Sequence, residues 1–151
     1  MRISQAAILP RRSASKADPA NVLLDDYVQR AARYQPCDLQ VFPSEDALLA
    51  SLERKPERPA AYGILCDSRG QQLTSEEFAA RLGQLRDGGT QRVVLAIGPA
   101  DGWSAAARER AGLLLSFGRI TLPHQLARVV LAEQVYRALT ILAGHPYHSG
   151  H

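Results

Sequence analysis

Apolar positions along this chain follow two periods in alternation. Short, nearly continuous apolar runs predict buried strands, and stretches with an apolar residue every three or four positions predict helices between them. Residues 3–9 form the first strand. Residues 11–19 are polar and basic, with Ser13, Ser15 and Pro19, and predict an exposed loop. From Asn21, the positions Val22, Leu24, Tyr27, Val28 and Ala31 keep helical spacing, and Pro36 closes the stretch. A short strand over 39–42 leads into Pro43-Ser44-Glu45, which opens a second helix with Ala47, Leu48 and Leu52 facing inward. Residues 54–59 are charged and proline-punctuated, which predicts a turn. Residues 61–66 are a third apolar run, and Asp67-Ser68-Arg69-Gly70 predicts a loop at its C-terminal edge. Thr74-Ser75-Glu76-Glu77 has the form of a capping box for a helix over about 75–85. Residues 92–97 are the clearest strand, and Gly98-Pro99-Ala100-Asp101-Gly102 follows. A helix to about 113, a short fifth strand over 114–117, and a last helix complete the chain; that helix starts at Pro123, runs to about 142 and stops at Gly144.

Strands alternating with helices, with the strands apolar on both faces, imply an α/β fold: a parallel sheet flanked by helices. Ligands of such sheets bind beyond the C-terminal ends of the strands. Three segments qualify, over 66–70, 98–102 and 117–122. Gly98-x-x-x-Gly102 would let a ligand approach the backbone closely, and it would serve equally as a tight strand-to-helix turn. It matches neither the dinucleotide fingerprint nor the phosphate loop with its lysine.

The last helix is apolar nearly all round. Leu126, Val129, Val130, Leu131, Val135, Tyr136, Leu139, Ile141 and Leu142 cover more than one face, so the helix must be buried on several sides. A second copy of the chain covers it economically, which predicts a homodimer through this helix; burial within one copy is the alternative. Glu133 and Arg137 are spaced for a helical ion pair. His145-Pro146-Tyr147-His148 lies beyond the helix, where chain ends are usually plain, although tyrosine and histidine there could stack on a base.

Composition narrows the class. Hydrophobic residues make up 46% and charged residues 22%, which fits one globular domain over 1–151 rather than a disordered chain. No run approaches the ~20 apolar residues of a membrane span, and residues 1–9 do not resemble a signal peptide, so a cytoplasmic protein with no membrane partner is expected. Cys37 and Cys66 make no disulfide framework, and without a CxxC pair no metal site is expected. The net charge is +3, carried mostly by arginine, which suits phosphate and base recognition better than lysine does.

Thr121-Leu122-Pro123-His124, Arg128-Val129, Glu133-Gln134, Tyr136-Arg137-Ala138 and His145-Pro146-Tyr147-His148, in this order and spacing, resemble the RlmH family. The likeness is dense from Arg92 to His148 and collinear upstream, at Ile64 to Gly70 and Leu73 to Phe78. It implies methyltransferases of the SPOUT class, which act on N3 of a pseudouridine in 23S ribosomal RNA of the assembled ribosome. It also implies a sheet whose C-terminal part is tied in a deep trefoil knot, a homodimer, and S-adenosylmethionine as cofactor. By position, cofactor contacts fall on Leu65, Cys66, Gly98, Phe117, Gly118, Arg119, Ile120, Thr121 and Leu122. His124, Arg128, Arg137, Tyr147 and His148 become the candidates for holding the base and helping its N3 proton leave. A binder of ribosomes without turnover, and a related enzyme acting on transfer RNA, are the competing readings.

Overall fold

A computed structural model describes residues 1–9 and 18–149, so the basic loop expected at Arg11, Arg12 and Lys16 lies outside the described residues. Five strands form one parallel sheet: β1 (Arg2–Ile8), β2 (Cys37–Phe42), β3 (Tyr62–Gln71), β4 (Arg92–Ile97) and β5 (Leu113–Leu115). Their order is β2-β1-β4-β3-β5. The helices are α1 (Pro19–Ala31), α2 (Glu45–Leu52), α3 (Ser75–Asp87), α4 (Ala105–Arg110) and α5 (His124–Leu142), and a single 3₁₀ turn covers Pro146–His148.

Alternation along the strands divides the core in two. Ile3, Ala7, Ile64, Val93, Leu95 and Leu113 face the layer of α3 and α5. Ala6, Ile8, Leu65, Val94 and Ala96 face α2 and α4. Both faces of the central strands are therefore covered, as a parallel sheet requires. A third cluster, Leu24 and Val28 with Val129 and Ala132, seals α1 to α5.

Local chemistry sets most element ends. Ser44, Thr74 and Ser104 cap α2, α3 and α4, each accepting a hydrogen bond from the backbone three residues on. Thr74 and Glu77 complete the capping box reciprocally. At the end of α5, Gly144 takes a φ of 73°, the Gly144 N–H donates to Ile141 and the His145 N–H donates to Thr140. This pair of bonds is a Schellman closure, and it needs a residue free of the left-handed penalty.

Two expectations need correction. Residues 67–70 do not form a plain loop. β3 continues to Gln71 across a register break between Cys66 and Gln71, because Gly70 brings its backbone against that of Leu114; a Cβ there would lie 2.6 Å from the Leu114 carbonyl carbon. α4 ends at Arg110 and not near residue 113: Ala111 turns extended and the Gly112 N–H donates to the Gly63 carbonyl (2.8 Å), which returns the chain to the sheet early and makes β5 Leu113–Leu115. As its apolar pattern requires, α5 is covered on several sides. α1 on one side, α3 on the other and the sheet beneath cover Leu131, Val135, Ala138 and Leu139. Its apolar surplus therefore does not by itself call for a second copy.

Candidate functional site

The C-terminal ends of β3, β4 and β5 open onto one cleft of about 580 Å³. Its walls come from the three segments picked out by sequence, 66–70 without Gly70, 98–102 and 117–122, extended by Ile97, Trp103, Leu115 and the start of α5. Of the expected cofactor contacts, Cys66, Gly98, Phe117, Gly118, Arg119, Ile120, Thr121 and Leu122 all line it. Leu65 does not. Its side chain is fully buried in the core on the α2–α4 face, so only its backbone is near the cleft. Burial pushes the Cys66 thiol up to about 12, so the group stays a neutral thiol and contributes shape rather than a nucleophile.

Trp103 is a wall the sequence reading gave no role. It is buried, its indole N–H donates to the Cys66 carbonyl (2.8 Å), and it thereby ties the β4–α4 loop to the end of β3. Gly98 serves this packing. A Cβ at that position would lie 2.7 Å from the Trp103 ring. Gly102 closes the loop, with a φ of 87° and its N–H donating to the Pro99 carbonyl (2.9 Å). A lone tryptophan five residues after a glycine is the signal that would have suggested the pairing. In the β5–α5 loop, Gly118 has a φ of 112° with open space where a side chain would stand, and its N–H donates to the Ser116 hydroxyl (3.1 Å). That leaves a bare patch of backbone facing the cleft.

The five catalytic candidates fall into two groups. His124 starts α5 and lines the cleft. Burial lowers its pKa from the ordinary 6.5, the Arg128 charge lowers it further, and the neighbouring Gly98 backbone pulls the other way; the imidazole is thus held neutral. Arg128, one turn on, is half-buried, and that burial opposes its charge while Asp25 supports it. Arg137 is thirteen positions from His124, roughly 20 Å along the helix axis. Its guanidinium donates to Glu133 Oε1 from Nε and Nη2 (2.9 and 2.6 Å), with both side chains under one-fifth exposed. The hydrogen bond to Glu133 raises the Arg137 pKa.

The segment expected as a tail is folded against this pair. The Tyr147 hydroxyl donates to Glu133 Oε1 (3.2 Å), its ring meets Tyr136 edge-on with centroids 4.6 Å apart, and Arg137 lies 5.2 Å from the ring centre. Tyr27 and Tyr34 of the α1 region close the aromatic cluster around Tyr136. His148 follows in the same turn, with its Nδ1 buried and unpartnered among the described residues. The structure therefore joins Arg137 and Tyr147, places His148 beside them in sequence, and keeps them apart from His124 and Arg128.

A parallel sheet with its cleft beyond the strand ends and a loop-bounded last helix defines the class. Residues 12–148 match the family model described as "Predicted SPOUT methyltransferase", and the chain belongs to that family. Among its relatives are proteins named ribosomal RNA large subunit methyltransferase H. The one from Koribacter versatilis is 47% identical over 137 residues, covering 91% of this chain and 93% of the relative. The one from Mesorhizobium japonicum is 43% identical over 162 residues, covering 98% and 99%. Two solved structures share the fold. A probable methylase family protein from Haemophilus influenzae Rd KW20 has a TM-score of 0.54 at 10% identity, over 98% of this chain and 70% of that one. The SpoU methyltransferase AviRb from Streptomyces viridochromogenes, solved with AdoMet, has 0.51 at 13% identity, over 94% and 58%.

Proposed function

We propose that this protein transfers a methyl group from S-adenosylmethionine to N3 of a pseudouridine in 23S ribosomal RNA, on the assembled ribosome and as a homodimer. The observation that carries the reading is the cleft, formed by three strand-end segments in a chain aligned nearly end to end with relatives named as large-subunit rRNA methyltransferases.

The residues present fit the cofactor. Ile97, Leu115 and Leu122 offer apolar surface for a flat ring, and Gly118, with no side chain, lets it approach the backbone closely. Bound there, S-adenosylmethionine supplies an electrophilic methyl on a sulfonium. Threading of residues 117–122 and α5 into the trefoil knot belongs to the same reading. It is supported by β5 pairing with β3 at the sheet edge while α5 packs back over β1 and β4.

The chain's own residues must hold the base in line and let its N3 proton leave, because the lone pair that attacks is the one the proton occupies. A neutral His124 beside the cleft can accept a proton, and Arg128 next to it favours an anionic base. Arg137, Tyr147 and His148, roughly 20 Å along α5 within one copy, serve the same base only from the second copy of the proposed homodimer. Val22, Leu23 and Leu126, exposed at the starts of the packed helices α1 and α5, support a second copy docking there. No helix among the described residues is long and apolar enough to cross a membrane, in keeping with work on ribosomes in the cytoplasm.

The test is transfer of labelled methyl to ribosomes lacking the modification, with free rRNA and transfer RNA alongside. Ribosomes become labelled and the two free RNAs do not. Absence of label on ribosomes sinks the reading.

A further inference from the structure

Beneath the cofactor cleft, the core holds an unsatisfied amide. β1 places Gln5 at mid-strand, between Leu39 of β2 and Leu95 of β4. The residue is 3% exposed, and neither its Nε2 nor its Oε1 has a hydrogen-bond partner among the described residues. It borders a void between the sheet and α5 that is too small to admit a water molecule. The rest of that wall is aliphatic except for one residue, Arg128. Arg128 is half-buried and makes no hydrogen bond or ion pair among the described residues, while the charge of Asp25 on α1 supports it.

A buried amide without a partner costs stability, and an apolar side chain of the same length would fill the place without that cost. The pair lies where the cost has a use. Ile97 walls both the void and the cleft. His124 and Ala127 wall the cleft on the turn of α5 that precedes Arg128. α5 begins after Pro123 with no side-chain cap, so no capping side chain pins that turn.

We propose that Gln5 is a positioning residue for Arg128. With cofactor and base in the cleft, the start of α5 settles onto β1, the void closes, and Gln5 Oε1 accepts a hydrogen bond from the Arg128 guanidinium. A guanidinium carries five N–H donors in one rigid plane, so a single bond to Gln5 sets the direction of the others. Those are aimed at the base, where they favour loss of the N3 proton. Gln5 touches neither cofactor nor RNA and acts through Arg128.

The proposal rests on the methyltransferase reading, and one experiment separates the two. Wild type, Gln5→Met, Arg128→Met and the double variant are assayed on ribosomes lacking the modification, from neutral to alkaline pH. Melting temperature and cofactor affinity are measured on each. Gln5→Met keeps the length of the side chain and removes the amide. The free protein should melt higher, because the orphaned polar group is gone. At neutral pH kcat should fall roughly tenfold, the worth of one hydrogen bond of about 1.4 kcal/mol, while cofactor affinity holds. In the double variant, Gln5→Met should cost nothing beyond Arg128→Met. The deficit of Gln5→Met should also narrow as pH rises, because the base then ionises unaided. His124 is already neutral over that range, and burial holds the Cys66 thiol up at about 12, so the narrowing belongs to neither. An unchanged kcat in Gln5→Met overturns the proposal. So does a loss that adds to that of Arg128→Met, which would make the two residues independent. A loss equal at every pH, with a lowered melting temperature, overturns it as well and assigns Gln5 to packing alone. No label from wild type defeats the methyltransferase reading itself, and this proposal with it.

Discussion

Single residues in this site are chosen by packing as much as by ligand. Gly98 is the clearest case. Its place after a buried strand suggests room for a cofactor, yet the atoms that need the room are those of Trp103. Gly98→Ala would drive a methyl into the indole, which would have to leave its hydrogen bond to the Cys66 carbonyl. Overpacking of this kind costs about 1–3 kcal/mol. The chain holds one tryptophan, so the event can be watched directly. The expected outcome is a lower melting temperature together with a red-shifted fluorescence maximum in the folded protein. An unshifted spectrum would mean the ring had not moved. The spacing of the lone tryptophan hints at this packing, but the contact itself depends on the turn at Gly102, whose shape is set by a positive φ.

At the scale of elements, legibility depended on whether the determinants were local. The caps of α2, α3 and α4, and the stop at Gly144, are written in neighbouring residues and could be read. The continuation of β3 past Cys66 could not, because it depends on Gly70 meeting the Leu114 backbone. Nor could the fold of the C-terminal turn, which depends on Tyr136 and Glu133 a dozen residues back. Tyr147 gives that turn a titratable reporter. Burial, and then hydrogen bonding to Tyr27 and Glu133, raise its hydroxyl pKa above the ordinary 10. The unfolded chain therefore loses this proton first as pH rises. The stability Tyr147 lends is complete below pH 10 and drains away above it. Tyr147→Phe keeps the ring on Tyr136 and deletes the hydroxyl, so it should cost on the order of 1 kcal/mol at neutral pH and flatten the loss above pH 10. Denaturant unfolding at several pH values measures both. An unaltered alkaline slope in the variant would place the titrating group elsewhere.

For the whole molecule, the apolar excess of α5 correctly signalled burial on several sides, but periodicity cannot say whose atoms do the covering. Within one copy, α1, α3 and the sheet account for most of it. What remains exposed near the starts of the two helices is Leu126 of α5 at 51%, with Val22 at 56% and Leu23 at 44% on α1. α1 and α5 pack side by side with their starts at the same end, since Asp25 acts on Arg128 and Tyr34 meets Tyr136, so these residues share that end of the helix pair. A proposed dimer that uses this patch should be undone by charge placed in it, since two like charges facing each other across a symmetric contact repel and neither can be solvated there. Leu23→Glu with Leu126→Glu is expected to sediment as a monomer where wild type sediments as a dimer. Folding should survive, because both side chains are already half in water. Cofactor affinity should survive as well, because neither Leu23 nor Leu126 lines the 580 Å³ cleft. Two results would redraw this picture. A variant that stays dimeric places the interface elsewhere. A monomer that no longer binds cofactor shows that the second copy holds the β5–α5 loop in its binding shape.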